Sequence, residues 1–202
     1  MLEYRKPNKR QFETILSKNK TMEEMGAVFA PIFSAMNKKT RNLTHGALIA
    51  ALYVVLTHLQ NMLVPESATM MIQFRVSEAM CVLAFFTPSA VWGLTVGCFL
   101  FNLSFAGALP LDMLVGSLAT LLATGGMYLT RKWRFGSFPL LGLLLPAISN
   151  AFLVGWELDL YIGGGFWLNF LCVAIGEATV LLTLGTALYY TILRRDLQNK
   201  IF

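Results

Sequence analysis

Positive charge is confined almost entirely to three short polar stretches of this chain, and long apolar stretches separate them. Of the 16 Lys and Arg residues, nine lie in residues 1–41, three in 131–134 and three in 194–200, which leaves Arg75 alone between apolar segments. Hydrophobic residues make up 56% of the sequence and charged residues 13%, more apolar surface than a soluble core of this size can hide. The pattern predicts an all-α integral membrane protein.

Six apolar segments are long enough, or nearly long enough, to cross a bilayer, which takes roughly 20 helical residues. A turn at Thr87-Pro88 separates the second from the third, because proline disfavours helix in the preceding residue and one continuous helix would be too long for a single span. The sixth is entered from a loop, residues 156–165, that ends in three glycines. We therefore predict six transmembrane helices, over residues 43–62, 71–86, 88–105, 111–130, 138–154 and 166–193.

The cations also predict the orientation of these spans. With the N-terminus in the cytosol, 15 of the 16 cations face the cytosol, as the positive-inside rule requires. The first cluster contains no long apolar run, so it does not resemble a cleaved secretory signal. We expect a cytosolic extension over residues 1–36, a six-helix transmembrane domain over 37–194 and a cytosolic tail over 195–202.

Polar residues concentrate at the predicted outer ends of the spans. An ionisable side chain near mid-bilayer costs roughly 2.5–3.5 kcal/mol, so Glu177, about 16 Å into the sixth span, should face the bundle interior. It is either a binding residue or a structural carboxylate. Arg75 and Glu78 share one helical face and form either an interfacial ion pair or part of a site. One outward-facing pocket would collect Gln73, Arg75, Glu78, Asn102, Asp112, Asn150, Trp156, Glu157, Asn169 and Glu177.

Several other functional classes find little support in the sequence. No phosphate-binding loop, nucleophile elbow or zinc-protease motif occurs. The three cysteines lie in apolar segments without metal-type spacing, so we expect neither a disulfide nor a metal. The cations are not interleaved with aromatic residues, which argues against nucleic acid. An intramembrane enzyme acting on a lipid and a purely structural subunit remain alternatives.

Three stretches of the chain resemble the queuosine-precursor transporter (QueT-type) family, whose members are substrate-binding S components of energy-coupling-factor (ECF) transporters. They are IQFRVSEA at residues 72–79, DMLVGSLATLL at 112–122, and Phe166-Trp167-Leu168 followed by Gly176-Glu177. The similarity runs from about residue 37 to 193 and implies a six-helix, S-component-like bundle. Ala47 and Ala51 match the Ala-x-x-x-Ala motif with which such proteins dock on the coupling subunit, since small residues four apart permit close helix approach.

The resemblance implies a protein of the bacterial cytoplasmic membrane that captures a 7-deazaguanine outside the cell. Its partners would be one transmembrane coupling subunit and two ATPase subunits. These partners would use ATP, so we expect no cofactor in this chain. The ligand would be a queuosine precursor such as 7-aminomethyl-7-deazaguanine or queuine, and the sequence does not choose among these and the 7-cyano compound. An S component for another flat vitamin or purine is the nearest alternative.

The chemistry of a guanine-like ring suggests roles for the polar residues. A carboxylate, from Glu177 or Glu78, can accept its two adjacent donors, while Arg75 or Asn150 can donate to its carbonyl oxygen. An aminomethyl substituent would bring a cation for Glu157 to pair. Aromatic rings can stack on the flat base. The predicted substrate-binding residues are Gln73, Phe74, Arg75, Glu78, Asn102, Asn150, Glu157, Trp167 and Glu177.

Overall fold

The structure of this protein is a computed structural model that describes residues 37–65, 72–105, 107–133 and 138–198. The chain divides into two compact units, Met1–Asn42 and Leu43–Phe202. The described part of the first unit is residues 37–42, which include the start of the first helix. The predicted extension, residues 1–36, lies outside the described residues. The second unit holds the remaining described residues.

Six helical segments follow one another in the described residues, each within or overlapping a predicted span. They are α1 (Lys38–Leu63), a 3₁₀ helix (Val76–Phe85), α2 (Pro88–Ser104), α3 (Asp112–Thr130), α4 (Leu140–Tyr161) and one continuous helix, Phe166–Arg194. Within the continuous helix, a π-helical turn (Leu181–Gly185) joins α5 (Phe166–Val180) to α6 (Thr186–Arg194). By length and composition α1, α3, α4 and the continuous helix can each cross a membrane, whereas the 3₁₀ helix and α2 are shorter, with 10 and 17 residues. The all-helical prediction is confirmed for these residues, with four candidate spans.

The second predicted span is not an ordinary helix. Residue 71 is not described and residues 73–75 are not helical; from Val76 the chain forms a 3₁₀ helix, in which Glu78 N donates to Arg75 O at 3.0 Å. Such a helix rises about 2.0 Å per residue, so its ten residues cover about 20 Å, against about 15 Å for an α-helix. The prediction of a standard helix over 71–86 is therefore wrong in type and starting point. A thinner helix lets its neighbours approach, and eight of its ten residues are buried.

The predicted turn between the second and third spans is confirmed. Thr87 is extended, with φ −143° and ψ 136°, and its side chain accepts a hydrogen bond from Ser89 N at 3.3 Å. Pro88 is the first residue of α2, where its missing N–H is not needed. The capping threonine and the proline together fix the start of α2.

The fifth predicted span ended too early. Helix α4 continues to Tyr161, so Trp156 and Glu157 lie on a helix rather than in the predicted loop over 156–165. The connection to α5 is reduced to residues 162–165. Its three glycines have φ of 80°, 90° and 95°, in the left-handed region where a side chain is disfavoured. Glu157 therefore lies on α4 inside the bundle and not in a loop.

Glycines bring α1 and α2 into close contact. A Cβ atom added at Gly93 would lie 3.1 Å from the Cα atom of Gly46, and one added at Gly97 would lie 3.2 Å from that of Ala50. Small residues four apart on both helices therefore form this interface. Ala47 and Ala51 lie on a different face of α1 and are exposed. The two small-residue patterns of α1 thus serve separate surfaces.

The largest hydrophobic core surrounds the 3₁₀ helix. Cys81, Val82 and Ala84 from that helix are fully buried against side chains from every other helical segment. The contributing residues include Tyr53, Leu94, Phe101, Met127, Leu143, Leu181 and Tyr189. Glu78, near the start of this helix, is fully buried beside that core.

Candidate binding site

Arg75 lies immediately before the 3₁₀ helix and is buried with 4% of its surface exposed. Its Nη1 lies 3.9 Å from Glu78 Oε1, and its Nη2 donates to Gln73 Oε1 at 3.4 Å. The guanidinium carbon is 6.0 Å from the centre of the Phe101 ring, within the range of a cation–π contact. Arg75 is therefore held inside the bundle by two polar side chains and an aromatic face.

Glu78 is fully buried and accepts hydrogen bonds from two further residues. Tyr53 Oη donates to Oε1 at 2.6 Å, and Cys81 Sγ donates to Oε2 at 3.1 Å. The sequence prediction missed Tyr53, which comes from α1. The spacing of the sequence could have marked it as a buried residue, because Ile49, Tyr53 and Thr57 recur every four residues and lie on the buried face of that helix. Glu78 is thereby fixed in place by its own helix and by α1.

Gln60, near the C-terminal end of α1, holds the chain that leads into the 3₁₀ helix. Its Oε1 accepts from Val76 N at 2.8 Å, and its Nε2 donates to the carbonyl oxygen of Phe74. The hydroxyl groups of Thr57 and Ser77 lie 2.7 Å apart and form another link. These contacts position the backbone on both sides of Arg75, and the sequence prediction did not include them.

Glu177 on α5 is fully buried, and neither carboxylate oxygen has a hydrogen-bond partner among the described residues. The carboxylate interacts electrostatically with Glu78 and Arg75; Asn150 is close enough to influence it but does not meet hydrogen-bond geometry. The neighbouring Gly176 lies directly against the non-helical residues 73–75, since a Cβ atom there would be 2.9 Å from the carbonyl carbon of Gln73. Glu177 is therefore an unpaired acceptor beside the Arg75–Glu78 pair.

A second group of acceptors lies towards the predicted outer ends of α2 to α5. Glu157 is fully buried, and neither of its oxygens has a partner that meets hydrogen-bond geometry among the described residues. Its carboxyl group is nevertheless close enough to that of Asp112 for the two to interact directly, and it also interacts electrostatically with Arg75. Asn102 Nδ2 donates to the backbone oxygen of Asp112 at 2.8 Å, and Asn169 Nδ2 donates to Gly163 O at 2.9 Å. The Oδ1 atoms of both asparagines are buried without partners in the described part of the chain. We call Asp112, Glu157, Asn102 and Asn169 the acceptor group.

The structure buries most of the predicted site residues and leaves two on the surface. Phe74 is 44% exposed and Trp167 is 68% exposed, and Trp167 packs against Phe166 and Phe170 rather than near the buried charges. Their stacking role stays a prediction. The buried members are Gln73, Arg75, Glu78, Asn102, Asn150, Glu157 and Glu177.

Charged side chains inside an apolar helical bundle are typical of membrane transporters, in which they mark substrate or ion pathways. The family model described as QueT transporter matches residues 43–194, and this chain belongs to that family. A curated relative, the queuosine precursor transporter QueT of Lactococcus lactis subsp. cremoris (strain MG1363), is 39% identical over 84 residues, which are 41% of this chain and 47% of the relative. The match thus spans about half the length of that relative. No solved structure matches the chain.

Proposed function

We propose that this chain is the substrate-binding S component of an ECF-type importer and that it captures a queuosine precursor, a 7-deazaguanine, at the bacterial cytoplasmic membrane. The family match and the name of the relative support this class of substrate. One observation carries the binding role: Glu177 is fully buried and its two oxygens have no hydrogen-bond partner in the described ranges.

A buried polar group without a partner costs free energy, and a buried carboxylate costs more than a neutral group. The pairing edge of a guanine-type ring supplies the missing donors, because its ring N–H and exocyclic amine form two parallel hydrogen bonds to one carboxylate. The ring carbonyl oxygen then needs a donor. Asn150 and Arg75, which both influence the Glu177 carboxylate, carry amide and guanidinium N–H groups for that contact.

The proposed membrane topology has six crossings with both termini in the cytosol. The positive-inside distribution of the cations supports it. The coupling subunit would dock on α1, where Ala47 and Ala51 are exposed and would let another helix approach closely. Two ATPase subunits would supply the energy, and this chain would need no cofactor of its own.

Direct binding to the purified full chain tests the proposal. We expect calorimetry in lipid nanodiscs to show saturable, one-to-one binding of 7-aminomethyl-7-deazaguanine, with no chemical change in the ligand. Guanine, riboflavin and thiamine serve as competitors, and riboflavin and thiamine should not displace the deazaguanine. Tight binding of either vitamin without binding of any deazaguanine would indicate an S component of another specificity. Turnover of the ligand would indicate an enzyme and contradict the proposal.

A further inference from the structure

The acceptor group has no donor of its own to satisfy it. The two Glu157 oxygens and the Oδ1 atoms of Asn102 and Asn169 make four buried acceptors without hydrogen-bond partners among the described residues. The amide nitrogens of both asparagines donate to backbone oxygens, at 2.8 and 2.9 Å, and neither is a hydrogen-bond partner of Glu157. Asp112 adds a further negative charge that interacts with Glu157. Such a set of atoms suits a ligand group that is rich in donors.

Acidic and basic side chains inside the bundle are also unequal in number. Arg75 is the only Lys or Arg in residues 42–130, and residues 135–193 contain neither. Its guanidinium contacts Glu78 and Gln73 directly. Glu157, Asp112 and Glu177 are buried with it, so acidic side chains outnumber basic ones in this interior. A cationic ligand would reduce that excess, because opposite charges interact strongly at low dielectric.

The acceptor group and Glu177 lie at different levels of the bundle. Glu177 is close to Asn150 on α4, and Glu157 lies seven positions further along the same helix. At 1.5 Å per residue this separation is about 10 Å along the helix axis. A flat bicyclic base that places its two donors on Glu177 can therefore direct a short substituent on its other ring towards Glu157.

We propose that the acceptor group is a subsite for a protonated amine, so that the site takes 7-deazaguanines with an amine on the five-membered ring and rejects the neutral 7-cyano compound. This inference rests on the proposed function. An ammonium group has three donors and no acceptor, which complements buried carboxyl and amide oxygens that have no donor. A nitrile nitrogen is an acceptor only, so the same oxygens would repel it and remain unsatisfied.

The affinities of two ligands for the parent and for four variants test this inference on the purified full chain. The parent protein should bind 7-aminomethyl-7-deazaguanine about 10- to 100-fold more tightly than the 7-cyano compound. Glu157→Gln should remove most of that difference by weakening only the amine, whereas Glu177→Gln should weaken both ligands alike. Asp159→Asn is the matched control. Asp159 is an acid whose Oδ1 accepts a hydrogen bond from Gly165 N in the glycine loop, and its replacement should leave the ratio of the two affinities unchanged. Asp112→Asn should lower the ratio in the same direction as Glu157→Gln, and to a smaller extent.

The outcomes separate this inference from the function on which it rests. If the parent protein binds the amine and the nitrile with equal affinity, the proposal of an amine subsite is overturned and deazaguanine binding still stands. This comparison needs no variant. Equal weakening of both ligands by Glu157→Gln would overturn it as well. Nitrile binding that becomes tight only when Na⁺ is added would assign the acceptor group to an inorganic cation instead. Binding of neither ligand would contradict the proposed function itself.

Discussion

Tyr53 donates a 2.6 Å hydrogen bond to Glu78, and this bond joins α1 to the 3₁₀ helix at the buried centre of the bundle. Both side chains are completely buried, while Ala47 and Ala51 on another face of α1 are exposed. Under the proposed function, the helix that docks on the coupling subunit is also the helix that holds a carboxylate of the site. Docking and ligand binding would then share one rigid element.

Replacing Tyr53 with Phe should weaken ligand binding while the fold is kept. The ring remains in the core, but Glu78 loses a donor, and a hydrogen bond to a charged group contributes about 1.5–3 kcal/mol. We expect the affinity for the deazaguanine to fall by about 10-fold or more in calorimetry. Tyr161→Phe, at a residue 42% exposed, is the control. An unchanged affinity in Tyr53→Phe would show that this bond does not position the site.

The buried ion pair should be costly to break from one side. Arg75→Ala leaves the Glu78 charge without its cation, and such losses destabilise proteins by about 3–5 kcal/mol. Thermal unfolding in detergent should show a large drop in the melting temperature of Arg75→Ala. The Arg75→Ala/Glu78→Ala double variant should lose less stability than the sum of the losses in the two single variants. Arg194→Ala, at an exposed position, should change little. Strict additivity would mean that the two residues do not interact.

Gly176 should tolerate no side chain. An alanine Cβ there would meet the backbone of Gln73, whose carbonyl carbon would be 2.9 Å away, so the chain at residues 73–75 must shift. Overpacking of this kind costs about 1–3 kcal/mol. We expect Gly176→Ala to unfold at a lower temperature and bind ligand more weakly. Gly125→Ala is the matched control, because nothing lies within 4 Å of its added Cβ. Equal behaviour of the two variants would contradict the close contact.

The exposed alanines of α1 should matter for uptake but not for ligand binding. Ala47→Leu combined with Ala51→Leu would keep a coupling helix at a distance, since close approach requires small side chains. Isolated protein should bind the deazaguanine with unchanged affinity, while uptake by cells and copurification with the coupling subunit should be lost. Val55→Leu, another exposed position of α1, is the control. Normal uptake in the double variant would place docking elsewhere.

Most helix positions could be predicted from the sequence because apolar length and proline are local signals. Thr87-Pro88 marked the start of α2 correctly. The 3₁₀ geometry could not be predicted, since the same apolar residues form an α-helix or a 3₁₀ helix depending on what packs around them. The end of α4 was misplaced because Glu157 and Asp159 make residues 156–161 look like a polar loop, whereas Glu157 is buried.

The candidate site was accessible to sequence reasoning only in part. Glu177 stood out because charged residues are rare in membrane spans, and it is buried. Glu157 was predicted as the partner of an aminomethyl cation although it was placed in a loop, and it too is buried. The periodicity of α1 marks Tyr53 as a buried residue, but its role and that of Gln60 depend on contacts with residues 14 to 25 positions away, which no local pattern reveals. Phe74 and Trp167 have suitable chemistry, but the direction of a side chain follows from packing, and both point to the surface.

The most direct test of the central claim is the affinity of the purified full chain for 7-aminomethyl-7-deazaguanine, compared between the parent and Glu177→Gln. The substitution keeps the shape of the side chain and replaces one acceptor oxygen with a donor group, so it removes the proposed bidentate contact. We expect the affinity to fall about 10- to 100-fold, with Asp159→Asn unchanged. Equal affinity in Glu177→Gln and the parent would contradict the account.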